Sequence, residues 1–266
     1  NSSRYNVFIK RPFVIEGFNQ DARRLGVASL GFSENLAWNW RYGVFNQRLV
    51  QDEGDYISDH LQAQIAGRLA NTLCYDASCD GRRYAHWAVA GTIADTDANA
   101  DDNNFADSGR NEAQFRTRPE ARTVERWLDT GVIDGADYYG LLGLEGVLNL
   151  GAWQWVGEFQ QVWLERNGAA NLRFSGGYFY LSYFLTGEHV PWDRERGVIG
   201  RVVPFRNFSL VDRCSVDCRG CGAWQIAVRY SYADFADEDV QGGIGESITA
   251  GINWHWTAYA KMQFNY

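Results

Sequence analysis

The sequence predicts an all-β chain, a transmembrane antiparallel β-barrel, on three observations. Apolar and polar residues alternate with period two over long stretches, as they do on the two faces of a strand. The polar positions hold Gln, Asn, Ser, Gly and Arg, not the Lys, Glu and Thr of a solvated sheet; of the 25 basic residues only Lys10 and Lys261 are Lys. Aromatic residues, 15% of the chain, gather where the alternating runs meet turns, as interfacial girdles do. Mean hydropathy is −0.38, and no run approaches the ~18 apolar residues of a spanning helix. A barrel can still cross a bilayer with this composition, because only alternate residues face lipid.

The elements follow in order. Residues 1–23 read as irregular: Pro12 lacks a ladder donor, and Arg4, Lys10 and Arg11 lie among aromatics, as in a loop packed inside something. Residues 25–32 are a short strand and 33–35 a turn. Across 36–46, Leu36, Trp38, Trp40, Tyr42 and Val44 oppose Ala37, Asn39, Arg41 and Gly43. Across 60–73, Leu61, Ala63, Ile65, Gly67 and Leu69 oppose Gln62, Gln64, Ala66, Arg68 and Ala70. Helix is the rival there, since LQAQIAGRLA holds good helix formers, but its neighbours alternate. Residues 84–94 place Trp87, Val89 and Ile93 on one face. Residues 113–122 predict a strand with Arg116 and Arg118 on one side, and 123–136 a long connection. Residues 137–150 and 152–166 predict a hairpin turning near Gly151. Strands follow at 172–185, 222–234, 247–256 and 258–266, with Arg229 on the polar face of its strand. After the aromatic-rich run 178–185 comes a long polar segment bearing Arg194, Arg196, Arg201 and Arg206. Roughly eleven strands of ~9–11 residues result, the length a tilted strand needs to cross a bilayer.

Net charge is −8, but its distribution matters more. Residues 52–59, 95–107 and 234–246 hold fourteen acids and no base, and read as loops. Without them, 19 acids face 25 bases, so the remaining frame is mildly basic. Arginine offers a planar fork of donors suited to oxyanions. Five cysteines cannot all pair within the chain. Cys74 and Cys79 flank a turn, and Cys214, Cys218 and Cys221 share one loop; a local disulfide is open in an oxidising compartment, its connectivity not deducible.

Other chemistries find little footing. The acidic run from Asp95 puts Ala100 and Ala106 where a calcium loop needs Gly and Glu. The CxxxCxxC spacing of the last three cysteines would need a shielded, reducing setting to hold an iron–sulfur cluster. The sequence holds no HExxH, no GxSxG elbow and no GxxxxGK[ST] loop. No catalytic residue, metal, cofactor or nucleic-acid partner is therefore expected.

A family resemblance adds to this. SSRY at residues 2–5, FRTRPEAR at 115–122, YFLTGEH at 183–189, GRVVPFRNF at 200–208, GAWQIAVRYSYADF at 222–235 and TAGINWHW at 249–256 are similar, in order, to the phosphate-selective porins of the O and P type. The resemblance implies a bacterial outer-membrane barrel of about sixteen strands, usually trimeric. It implies one porin domain over residues 1–266, incomplete at both ends. It implies loops folded into the lumen and an anion path of basic residues, with Arg4, Lys10, Arg11, Arg116, Arg118, Arg201 and Arg206 as its candidates. Arg41, Arg68, Arg194, Arg196 and Arg229 join them from the strand pattern and the polar segment. The family's selectivity region uses Lys in part, and this chain offers Lys10 there.

The expected function is passive diffusion of small anions, such as phosphate, across the outer membrane. Arginine forks replace hydration lost in a narrow pore, and fixed positive charge excludes cations. Two alternatives stand beside it. In a general diffusion porin each arginine braces the lumen by pairing with a carboxylate such as Glu145 or Glu158. In a soluble β-sandwich the Trp-rich faces pack inward. The strand faces discriminate: a barrel puts Trp38, Leu144 and Ile252 outside and Arg41, Glu145 and Asn253 inside.

Overall fold

Alternation of this length makes each strand two-faced, and each pairs with its neighbour in sequence. A computed structural model describes residues 5–19, 24–49, 63–96, 113–121, 125–208 and 220–266. Arg4, Cys214, Cys218, the acidic stretch 52–59 and most of 95–107 lie outside the described residues. One short helix, α1 (Phe13–Phe18), precedes the strands β1 (Arg24–Phe32), β2 (Trp38–Leu49), β3 (Ala63–Tyr75) and β4 (Arg83–Asp95). Two short strands, β5 (Arg116–Thr117) and β6 (Leu128–Asp129), come next. Then follow β7 (Ala136–Leu150), β8 (Trp153–Arg166) and β9 (Leu172–Phe184), and the short pair β10 (Trp192–Asp193) and β11 (Val198–Ile199). The last three are β12 (Ala223–Asp237), β13 (Val240–His255) and β14 (Lys261–Asn265).

Ten strands form one antiparallel sheet in the order β1-β2-β3-β4-β7-β8-β9-β12-β13-β14. This is a meander of hairpins, the least entangled path for sequential strands. β1 and β14 are its edges. Connections at the β9–β12 end include the two-residue turn Gly151–Ala152, where Leu150 pairs Trp153. Gly151 there takes φ 62, open to glycine at no steric cost.

Two expectations change. The expected strand over 113–122 is not part of the wall: among its described residues Arg116–Thr117 pairs with Leu128–Asp129 and Ala113 bridges Ile133, while β4 pairs directly with β7. Pro119 follows at once and offers no ladder donor, so the segment leaves the sheet and folds on its inner face. The sheet accordingly holds ten strands, not eleven. Residues 234–246 are not a loop: β12 runs to Asp237 and β13 starts at Val240, joined through Glu238 and Asp239. Asp239 pairs with Arg166 of β8, which holds its carboxyl below the usual range. Acid there marks strand ends reaching into water.

The two faces differ as a barrel requires. Trp38, Leu144 and Ile252 are 40%, 45% and 45% exposed, while Asn253 is fully buried. Val27, Ile65, Val89, Ile226 and Ile248 continue the exposed apolar face. Among the described residues nothing packs over it; a soluble sandwich would bury this face between sheets. The opposite, inner face carries a hydrogen-bonded network across many strands. Gln154 donates to the Tyr84 hydroxyl at 3.2 Å, Gln225 to Ser182 at 3.0 Å, and Asn253 to Gln225 at 3.0 Å.

Residues 5–19 lie along this inner face, as expected of an enclosed segment, but Phe13–Phe18 form a helix where an irregular path was expected, its Phe13, Val14 and Phe18 buried. At one end Tyr5 packs with Tyr84, Val190 and Trp192. Midway Val7 and Phe8 meet Val156, Tyr180 and Ala227. At the far end α1 inserts Phe13, Val14 and Phe18 among Phe115, Leu128, Phe174 and Phe235. Gly17 meets the Phe235 ring so closely that a Cβ would lie 2.3 Å from it.

Outer-face orientation makes a direct prediction. Leu144→Arg is expected to destabilise the folded protein in lipid by about 2–4 kcal/mol, as charge at the bilayer midplane does. Glu145→Arg on the adjacent inner position should not show that penalty as a function of lipid. Urea unfolding in vesicles measures both.

Candidate functional site

The polar segment after β9 builds one side of the site. Gly187, at φ 90, lets the chain reverse at the strand end. The segment then crosses the inner face to β2, β3 and β4, held mainly through its backbone carbonyls. Arg82 donates to the Gly187 carbonyl at 2.7 Å, the Tyr84 hydroxyl to Val190 at 2.9 Å, Arg41 to Arg196 at 2.6 Å and Arg68 to Gly197 at 3.1 Å. Trp192 stacks on Tyr84 and donates its indole N–H to Thr72 at 3.1 Å. β10 and β11 reverse at Gly197, φ 59, where a Cβ would lie 2.5 Å from Asn39. Glycine is required there on both counts. His189 contacts the Asp80 carbonyl at 3.0 Å; burial and the nearby Arg82 guanidinium hold its ring below the ordinary imidazole range.

A second inserted segment, 113–121, contributes Glu120. Its carboxylate accepts from Arg229 Nε at 3.1 Å, Thr249 at 2.9 Å, Ser247 at 3.4 Å and the Phe13 N–H at 3.2 Å, and it also pairs with Arg229 Nη2. The two side chains are 2% and 3% exposed. Arg229 also donates to the Lys10 carbonyl at 2.9 Å and lies over the Phe8 ring. One carboxylate therefore ties the N-terminal segment, the 113–121 segment and the wall strands β12 and β13 together. A buried charge so fully satisfied is held rigidly, and losing one partner leaves the other uncompensated.

Between these segments and the wall lies a cavity of about 360 Å³. Lys10, Arg11, Arg41, Arg68 and Arg229 line it, with only Glu145 and Glu158 opposing them. Their roles differ. Arg68 pairs with Glu145 and bonds Asn39 and Gly197. Arg229 is neutralised by Glu120. Lys10, Arg11 and Arg41 have no carboxylate partner among the described residues, so the cavity carries surplus positive charge.

The remaining candidates lie elsewhere. Arg118 is 3.6 Å from Glu16 of α1; burial first, and then the neighbouring Arg118 and Arg116, hold Arg126 below its usual pKa. Arg194 donates to the Asn35 carbonyl at 2.6 Å and lies over Tyr75. Arg196 is exposed, 3.8 Å from Asp193. Arg201 lies over the Tyr259 ring at 4.2 Å, and Arg206 is exposed. The bracing expected of Glu145 holds for Arg68; Arg229 finds its brace in Glu120, which the sequence reading passed over. The only available signal was one acid standing among the arginines of FRTRPEAR.

Comparison with known proteins gives the family. The family model for phosphate-selective porin O and P matches residues 1–266. An uncharacterized protein of Caulobacter vibrioides is 26% identical over 277 residues, which cover 97% of this chain and 48% of that protein. The chain thus spans about half the length of the curated relative it matches.

The Glu120 contacts predict a large stability effect. Glu120→Gln is expected to cost about 3–5 kcal/mol, as breaking a buried ion pair does. Adding Arg229→Gln should recover part of the loss, because the stranded charge is gone. Urea unfolding of the two variants in detergent micelles gives the coupling.

Proposed function

We infer that this chain, which belongs to the phosphate-selective porin O and P family, forms wall and inner constriction of an outer-membrane channel for small anions. The observation that carries this is the cavity on the inner face, with five basic side chains against two acidic ones. Solute passes where side-chain donors replace its lost hydration, and surplus positive charge there favours anions over cations. Lys10 and Arg11 have no carboxylate partner among the described residues and can act on solute, as can the donors that Arg41 keeps beside its bond to the Arg196 carbonyl, whereas Arg68 and Arg229 hold the inserted segments in place. Weak, spaced contacts suit conduction, since a solute held too tightly would not leave.

The lipid bilayer is the partner of the outer face, and a trimer is the assembly we propose. Short turns in such barrels face the periplasm. On that basis Gly151–Ala152 and the start of the arginine segment lie at the periplasmic mouth, and the ends of β4 and β12 at the outside. Phosphate is the solute we propose from the donor chemistry: Arg41 and Arg11 offer planar forks, and Lys10 a point charge, to an oxyanion.

The bracing of Arg68 and Arg229 favours a second reading, a general diffusion porin without a preferred solute. Conductance separates the two. In a chloride gradient across a planar bilayer, the full-length protein is expected to give an anion-selective reversal potential, and chloride current should fall with added phosphate. The triple variant Lys10→Gln, Arg11→Gln, Arg41→Gln should lose most of that anion preference. Cation selectivity in the unaltered protein would exclude the anion reading, and current insensitive to phosphate would favour general diffusion.

A further inference from the structure

After β11 the chain runs back across the end of the sheet that holds the Gly151–Ala152 turn, as residues 200–208, GRVVPFRNF. At one end of this strap the Gly200 N–H bonds the Pro191 carbonyl at 2.7 Å, and at the other the Phe208 N–H bonds the Trp256 carbonyl at 2.8 Å. Between them the Phe205 N–H donates to Glu188 Oε1 at 3.0 Å. We propose that Glu188 is the positioning residue of this strap: it holds the backbone that carries Arg201 and Arg206, and so sets part of the channel's anion preference. The proposal rests on the anion-channel reading and adds to it a residue that touches no solute.

The strap has little else to fix its course. Residues 200–208 pair with no strand. Val203 and Phe205 are 59% and 65% exposed, so apolar burial contributes little there. Pro204 between them is buried, but it has no N–H by which to be held. Arg82 lies over the Phe205 ring, 5.9 Å from its centre, a contact to a side chain that itself faces outward. Glu188 is the opposite case: it is 2% exposed. Its other oxygen accepts from the Thr186 hydroxyl, which in turn accepts from the Trp224 N–H at 3.0 Å. Thr186 follows the last residues of β9 and Trp224 stands at the start of β12; the Leu185 N–H joins the same two strands by bonding the Trp224 carbonyl at 2.8 Å. One carboxylate thereby fastens the strap to two adjacent wall strands.

Glu188 forms no ion pair among the described residues; both its partners, Thr186 and Phe205, are neutral. Burying a carboxyl group in this way costs more than burying an apolar side chain. What it supplies is direction: an acceptor fixes the path of a backbone that non-directional packing would leave loose. Arg201 lies over the Tyr259 ring and Arg206 is exposed, and neither has a carboxylate partner among the described residues. Where their charge stands is therefore decided by the strap. Fixed positive charge favours anions only while it stays beside the path.

Two readouts on the full-length protein in lipid make the test. A nitroxide on Val203→Cys, in a background whose native cysteines are replaced by serine, reports motion of the strap. The reversal potential in a potassium chloride gradient, recorded without the label, reports selectivity. Glu188→Ala is expected to mobilise the nitroxide and to lower the chloride-over-potassium permeability ratio at least twofold. Glu188→Gln keeps an acceptor for the Phe205 N–H and turns its amide N–H toward Thr186, so both readouts should stay near the parent values. Thr186→Val keeps the shape and drops the hydroxyl; it should shift both readouts in the direction of alanine, and it decides the matter if Glu188→Ala does not fold. A nitroxide as immobile as in the parent, or a mobile one with an unchanged permeability ratio, overturns the positioning role and leaves the anion channel standing. Cation selectivity in the unaltered protein removes the channel reading itself, and the proposal falls with it.

Discussion

The sheet is apolar on the face that nothing covers and polar on the face that everything packs against. Leu144 and Ile252 stand exposed while Asn253, Gln225 and Gln154 are buried. In water this arrangement would leave a large apolar surface bare; in lipid it is the stable one, because the strands pair along the sheet and the polar side chains turn to the inner face. The inner face must then be filled with groups that satisfy one another. That requirement explains why residues 5–19, 113–121 and the segment after β9 all fold onto it, and why their contacts are hydrogen bonds from Arg, Gln, Asn and Tyr as much as apolar packing.

Charge on that face is divided between structure and surplus. Glu120 takes Arg229, and Glu145 takes Arg68. The first pair is buried and the second half-buried, and each contributes position more than net stability. Among the described residues, Lys10, Arg11 and Arg41 at the larger cavity and Arg201 and Lys261 at a smaller one beside the β13–β14 turn have no carboxylate partner, against Glu158 alone on the acidic side of the larger cavity. Fourteen of the 33 acids that make the whole chain negative fall in residues 52–59, 95–107 and 234–246. Formal charge of the chain and charge of its inner face thus have opposite sign, and only the second acts on a solute at close range.

Period-two alternation made the strands and their faces legible, because a strand buried on one side leaves that signature in composition. β2, β7, β8, β12 and β13 each show it, and the Gly151 turn declares itself through glycine between two such runs. Local acidity misled at 234–246, where charge marks strands projecting into water. Local alternation misled at 113–122, where Pro119 breaks the ladder. The site was legible only in part. Arginines on the polar faces could be listed, but Glu120 meets Arg229 across 109 residues and Lys261 meets Asn6 across 255. Such partnerships are set by the path of inserted segments, which no local pattern encodes.

The orientation of the faces can be read directly with nitroxide side chains placed singly at positions 142 to 149 of β7 in the full-length protein in lipid. Accessibility to oxygen, which concentrates in the bilayer, is expected to alternate with period two, high at 142, 144, 146 and 148 and low at the four positions between. The opposite phase, or high accessibility to a water-soluble relaxation agent at 144, would contradict an outward apolar face and the channel built upon it.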